Sequence, residues 1–178
     1  MTSLATLLSE PSTAGVWNLD PARSKIAFTN RSLWGAVRVK GTFADFSGDG
    51  QITRQGAVFG RLDIRAASLA TGISKRDQHL RSPDFFDVER FPDISVVVTA
   101  LQPTTGDTAD LRATLTVKST TKPLQLPATI VGVDGDTVRI TAKTKIDRTE
   151  WDVTGNLLGM VVRTAMLTAD LLFARAEV

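Results

Sequence analysis

Along most of the chain, apolar and polar residues exchange places at every second position, a rhythm that suits a β-strand with one buried face and not an α-helix. Val37, Val39, Gly41 and Phe43 alternate with Arg38, Lys40 and Thr42, and Val58, Gly60, Leu62 and Ile64 with Arg61, Asp63 and Arg65. Leu111, Ala113, Leu115 and Val117 alternate with Arg112, Thr114, Thr116 and Lys118, and Val138, Ile140 and Ala142 with Arg139, Thr141 and Lys143. The closing run from Arg163 to Ala174 sets Ala165, Leu167, Ala169, Leu171 and Phe173 on one side. Between the runs, Ser47-Gly48-Asp49-Gly50, Gln55-Gly56, Gly106-Asp107 and Asp134-Gly135-Asp136 read as tight reversals. This spacing predicts an all-β chain: a single antiparallel barrel of about eight half-buried strands joined mostly by short hairpins. Pro123 and Pro127 interrupt the run from Lys122 to Val133, which is expected to be short, bulged or partly at an edge because proline cannot donate to a ladder.

A barrel of about eight strands either fills with side chains or holds one small ligand. Gly60, Ala113, Ala128, Ala142, Ala165 and Ala169 all fall on the inward faces, where a solid core would use Leu, Ile or Phe throughout. Space inside is one reading; large residues opposite these positions filling it is the other. Phe28, Trp34, Phe43, Phe46, Phe85, Phe86, Trp151 and Met160 are candidates to line or close a pore, together with the inward Ala113, Leu115 and Ala142.

One stretch breaks the rhythm. Thr71 to Pro92, TGISKRDQHLRSPDFFDVERFP, fits neither a regular strand nor a long helix. Thr71 and Ser74 offer capping oxygens, Lys75 to Arg81 suffice for one or two helical turns, and Pro83 disfavours helix at Ser82. A short helix inside a long loop is expected, ordered by the apolar anchors Leu80, Phe85, Phe86 and Phe91 and acting as a plug or lid. Arg76 and His79 stand three apart on one helical face, with Asp77 beside them. In a structural reading Asp77 fixes the loop and Arg76 pairs with Asp84 or Asp87; in a functional one Arg76 and His79 hydrogen-bond a polar or anionic head group at the barrel mouth.

The spacing T-G-x-x-x-R-D-x-H-L-x-S-x-D-F-F-D-x-x-x-F-P closely resembles the signature of the YceI-like family of polyisoprenoid-binding proteins. The resemblance extends through WNLDPARSKIAF, WGAVRVKGTFADFSG, ADLRATLTVKSTTKPLQL and IDRTEW, from Val16 to Ala176. It implies a lipocalin-like barrel that holds a long apolar chain in an internal pore, with Arg76, Asp77 and His79 close to that pore. It favours a cavity over a filled interior. Two positions depart from the family pattern, Arg23 in DPARS and Ser32 before WG, where members commonly carry histidine. Arg23 replaces a switchable charge with a permanent one, which leaves His79 as the only histidine. In IDRTEW, Asp147, Arg148 and Trp151 are expected to fix the corner before the last strand, Arg148 as an ion-pair partner.

Other chemistry finds little material. With one His and no Cys, thiolate catalysis, disulfides and ordinary metal sites lack ligands. No GxSxG, GxxxxGK[ST] or GxGxxG stands in the sequence, so no nucleotide or redox cofactor is expected. Lys plus Arg number 21 against 19 Asp plus Glu, too even a balance for a nucleic-acid binder. Residues 1–15 read as an N-terminal extension before a barrel domain at 16–178. MTSLATLLSEPSTAG lacks a basic leading region, and Glu10 and Pro11 cut it short as a secretory signal. Leu4, Leu7 and Leu8 form a stripe that could pad the outside or one end of a barrel. No stretch approaches the ~20 apolar residues of a membrane span, so a cytoplasmic protein without stable membrane insertion is expected, with a homodimer left open. The function expected is non-catalytic binding of a long-chain apolar amphiphile, a polyisoprenoid or quinone-like lipid. Its rivals are a lipid-processing hydrolase or isomerase using His79 and Asp77, and a stress-related interaction module with a filled barrel.

Overall fold

Strands form where the alternation predicts them, and the computed structural model describes residues 1–156 and 160–177. In chain order they are β1 Gly15–Leu19, β2 Lys25–Ser32, β3 Val37–Phe43, β4 Phe46–Ile52, β5 Val58–Arg65, β6 Leu69–Ala70, β7 Asp93–Pro103, β8 Thr108–Val117, β9 Thr120–Asp134, β10 Thr137–Asp147 and β11 Thr164–Arg175. Two short helices accompany them, α1 Leu4–Ser9 and α2 Ser74–Arg81. On β8 the period is plain: Ala109, Leu111, Ala113, Leu115 and Val117 are buried while Arg112 is exposed.

Although the sheet counts eleven strands, it closes as an antiparallel ring of eight, β1-β4-β5-β7-β8-β9-β10-β11 with β1 returning to β11. The seam joins Trp17 to Arg175, Asn18 to Ala174 and Leu19 to Phe173. The other three strands are continuations of ring strands past kinks at one level of the barrel. Between β1 and β2 the turn Pro21–Arg23 intervenes, started by the Asp20 carboxylate accepting from the Ala22 and Arg23 amides. The chain bends at Ala44 and Asp45 between β3 and β4, and a turn at Ala66–Ser68 separates β5 from β6. Pairing respects each break: β1 lies on β4 and β2 on β3, while β5 lies on β4 and β6 on β3.

Several local expectations need correction. Ser47 to Gly50 are not a reversal but the middle of β4, where Gly48 pairs with Leu62 and Gly50 with Gly60. A Cβ on Gly48 would stand 2.6 Å from the Arg61 carbonyl oxygen, so glycine serves close strand approach there. The next turn does reverse at Gln55-Gly56, with Gly56 at φ 79°. Strand β9 is not short despite its prolines. Pro123 and Pro127 pair only with β8, because β10 joins β9 from Ala128 onward, so that half of β9 is a local edge. Val37, assigned to the inward face, is exposed beside the β2–β3 turn.

The two ends of the barrel are closed differently. Helix α1, started by Ser3 accepting from the Thr6 amide, is tied to the barrel rim by paired backbone bonds between Thr2 and Gly132 and by the Leu4 amide donating to Asp107 Oδ1 at 2.9 Å. Its leucines therefore form a floor and not outer padding: Leu4 and Leu7 are buried against Trp17, Leu111, Ile130 and Val138. Burial of each contributes roughly 1.5–3 kcal/mol. At the other end α2 and the segment after it make a roof, with Phe85 buried against Trp151 and Val153. No described helix is long and apolar enough to cross a membrane.

Candidate ligand-binding site

Between floor and roof lies a cavity of about 540 Å³, within the range of small-molecule sites. Leu4, Leu7 and Leu8 border its lower end; Arg76, His79, Phe85 and Phe86 border its upper end. On β10 its wall runs from Val138 through Ile140 and Ala142 to Ile146. Eight residue steps at ~3.4 Å make about 27 Å along the strand, or about 20 Å along the axis of a barrel with tilted strands. The wall between is apolar. Where Gly50 faces Gly60 it carries no side chain, and Asp49, Gln51, Phe59 and Arg61 on the outer rim also border the space.

Polar groups gather at the upper end. The Arg76 guanidinium donates from Nε to Thr71 Oγ1 at 2.7 Å and from Nη2 to the Thr71 carbonyl at 3.0 Å. Asp77 is buried and turned away from the cavity, accepting from the Thr71 amide and hydroxyl. Because the Thr71 hydroxyl is committed to Asp77 and Arg76, it does not cap α2; Ile73 holds that position with no side-chain bond. His79 Nε2 lies 2.8 Å from Asp84 Oδ2, and its ring meets Phe85 edge-on at 5.2 Å. Arg76 thus engages backbone and hydroxyl, not Asp84 or Asp87, and Asp84 partners the histidine instead.

Arg148, expected as an ion-pair partner, is buried in the cavity wall with donors on three carbonyls, those of Val153, Val161 and Val162. Burial lowers its affinity for the proton relative to a free guanidinium. Asp147 starts the turn that places it, and the hydroxyl and amide of Thr149, with Arg163, hold the Asp147 carboxyl below its usual range. Trp151 follows in the same turn and donates its indole N–H to the Leu115 carbonyl at 2.9 Å.

Of the residues singled out in the sequence, Phe28, Phe43, Phe85, Phe86, Leu115, Ala142, Trp151, Met160, Arg76 and His79 border the cavity. Four stand elsewhere. Phe46 and Ala113 are buried without bordering it, Asp77 serves the loop, and Trp34 is exposed at the tip of the β2–β3 hairpin. Phe28 lies over Gly41 and packs on Phe43 at 5.5 Å, which in turn meets Phe86 edge-on at 6.2 Å. Asn30 was not foreseen. Its Nδ2 donates to the carbonyls of Val162 and Thr164 at 2.9 Å each, leaving Oδ1 buried and without a partner among the described residues. The signal was its parity with Ile26 and Phe28 on the inward face of β2.

A closed eight-strand antiparallel barrel with a long, mainly apolar cavity, polar groups at one end and a helical floor at the other defines a class of hollow barrel closed at both ends. The model of the YceI-like domain matches residues 17–173. The chain belongs to the YceI-like family. A UPF0312 protein of Pseudomonas putida strain F1 is 36% identical over 100 residues, covering 55% of this chain and 52% of that protein. One from Pseudomonas fluorescens SBW25 is 32% identical over 126 residues, covering 66% of this chain and 65% of that protein. The match to the first of these spans about half of that relative's length. Among solved structures, Burkholderia cenocepacia BcnA superposes with a TM-score of 0.78 at 22% identity, over 86% of this chain and 98% of that one. A domain from Saccharophagus degradans, described as polyisoprenoid binding, gives 0.75 at 18% identity over 90% and 98%. At such identity the likeness establishes the shared barrel.

Proposed function

We propose that this protein binds a long-chain apolar amphiphile, a polyisoprenoid or quinone-like lipid, inside the barrel and sequesters or carries it without transforming it. The carrying observation is the asymmetry of the cavity: the inward side chains along its wall are mainly apolar from the floor upward, and Arg76, His79 and Arg148 border it together at the roof end. An amphiphile fits with its tail toward α1 and its head beside Arg76, His79 and Arg148. The polyisoprenoid-binding description of the Saccharophagus neighbour supports the ligand class. At ~0.8 kcal/mol per buried CH₂, enclosing about fifteen carbons gains roughly 12 kcal/mol before association costs, enough for micromolar or tighter binding. The His79 ring is held by Asp84, and among the described residues no hydroxyl bonds to it as a nucleophile would, which favours carriage over catalysis.

Native mass spectrometry of the purified protein, followed by organic extraction, tests this reading. A stoichiometric apolar molecule is expected, and His79→Gln should loosen it by the ~0.5–1.5 kcal/mol of one hydrogen bond. A protein that is unliganded and takes up no added polyprenol sinks the carrier reading. A converted lipid whose formation vanishes in His79→Gln replaces it with an enzyme.

A further inference from the structure

The tip of the β2–β3 hairpin combines features that folding alone does not explain. Leu33 and Trp34 are both at positive φ, 49° and 53°, a region costly for residues other than Gly, Asn or Asp. The strain is not offset by burial, for Leu33 is 45% exposed and Trp34 75%. The other two tryptophans described, Trp17 and Trp151, are 4% and 3% exposed. Charge is equally one-sided: between Asp20 and Asp45 the chain holds Arg23, Lys25, Arg31, Arg38 and Lys40 and no carboxylate. Arg31 and Arg38 face each other directly across the hairpin, an unfavourable like-charge pair. The tip also stands at the cavity. Ser32, Leu33 and Met160 border that space, and the Trp34 amide donates to the Met160 carbonyl at 3.2 Å. Leu33 is therefore at once exposed and part of the cavity border, an apolar step between outside and inside.

An anionic layer over an apolar one suits both the exposed apolar side chains and the unbalanced positive charge. Tryptophan settles at the membrane–water interface, and guanidinium groups gain from anionic phosphates. We infer that the β2–β3 tip docks the barrel mouth onto an anionic phospholipid bilayer, with Leu33 and Trp34 seated in the interface and Arg31 and Arg38 at the phosphates. This goes beyond the carrier reading and requires no lipid in the cavity. It is peripheral contact, consistent with the absence of a membrane-spanning helix among the described residues.

The test uses vesicles of phosphatidylglycerol with phosphatidylcholine, against phosphatidylcholine alone. Because Trp17 and Trp151 are buried, a blue shift of emission on vesicle addition reports Trp34. Expected are a blue shift and co-sedimentation with the anionic vesicles, both reversed by salt. The double variant Arg31→Gln/Arg38→Gln should bind about 25-fold more weakly, about fivefold per cation removed. Leu33→Asn/Trp34→Gly places residues at ease with positive φ, so it should melt no lower than wild type while losing vesicle binding. Absence of both shift and sedimentation overturns the inference, as does equal binding to phosphatidylcholine alone or undiminished binding by Leu33→Asn/Trp34→Gly. Vesicle-free dimerisation of wild type that this variant abolishes also overturns it, making the tip a subunit contact. Delipidated wild type should bind the vesicles as well, so docking and carriage can fail separately.

Discussion

Ala142 and Ala113 are both alanines on inward faces, Ala113 buried and Ala142 half-buried, yet only Ala142 borders the cavity. Replacing Ala142 with Phe puts a phenyl ring into space that a ligand would occupy. If the ring displaces about six ligand carbons at ~0.8 kcal/mol each, binding loses about 5 kcal/mol, more than a thousandfold in affinity. The delipidated protein should lose little stability, because the ring enters a void. Ala113 lies instead between Val98 on β7 and Leu124 on β9. A ring there overpacks the wall at a cost of about 1–3 kcal/mol, a fall in melting temperature of roughly 2–12 °C for a chain of this size. Extracted lipid and melting temperature are measured together on both variants, with delipidated wild type as the control for stability contributed by bound ligand. If Ala142→Phe keeps its lipid, or destabilises the delipidated protein as much as Ala113→Phe does, the assignment of the two positions is wrong.

Two further outcomes follow from single contacts. A Cβ on Gly41 would lie 2.2 Å from Phe28 Cζ, so Gly41→Ala must turn the Phe28 ring toward the cavity; reduced lipid retention and a destabilisation of about 1–3 kcal/mol are expected, and unchanged retention in an extraction assay would refute it. Asp147 is depressed below its ordinary value of 3.8, so its stabilisation is present above that value and fades as pH falls through the lower folded value. Asp147→Asn should lower the urea midpoint at neutral pH and reduce the difference between neutral and acid midpoints; equal acid sensitivity in the two proteins would remove the argument.

Period two located the strand faces because a pleated strand turns successive side chains to opposite sides. It could not say whether space lies beyond an inward side chain, which depends on what the facing strands supply. Ala113 and Ala142 look alike in sequence for that reason, and Phe46 reads like Phe43. Ser47 to Gly50 were misread because glycine marks both reversals and close strand approach, and only the partner backbone separates the two. The kink dividing β5 from β6 is a short turn with no capping side chain, and Asp20-Pro21 marks the one between β1 and β2 without showing that the two strands continue one another, so about eight strands were the natural expectation. Trp34 was assigned to the pore on aromatic character alone; the positive φ at Leu33 and Trp34 that holds it outside has no hydropathic signature. Arg148 finds carbonyls in a turn that sequence spacing does not reveal, and Asp77 is claimed by Thr71 across the loop.

The seam between β1 and β11 makes ring closure the longest-range event in the chain, since Trp17 meets Arg175 there and the Arg175 guanidinium stands 5.8 Å from the indole. The ring junctions from β1–β4 through β9–β10 can form while synthesis proceeds, but the two that β11 makes, with β10 and with β1, wait for Thr164 to Arg175. Until then the nascent chain is an open trough with its apolar face uncovered, a topology that folds slowly and is prone to association. A variant shortened before Phe173 would lack all three seam pairs and should accumulate as such a trough, captured by chaperones or aggregates however sound its remaining strands are.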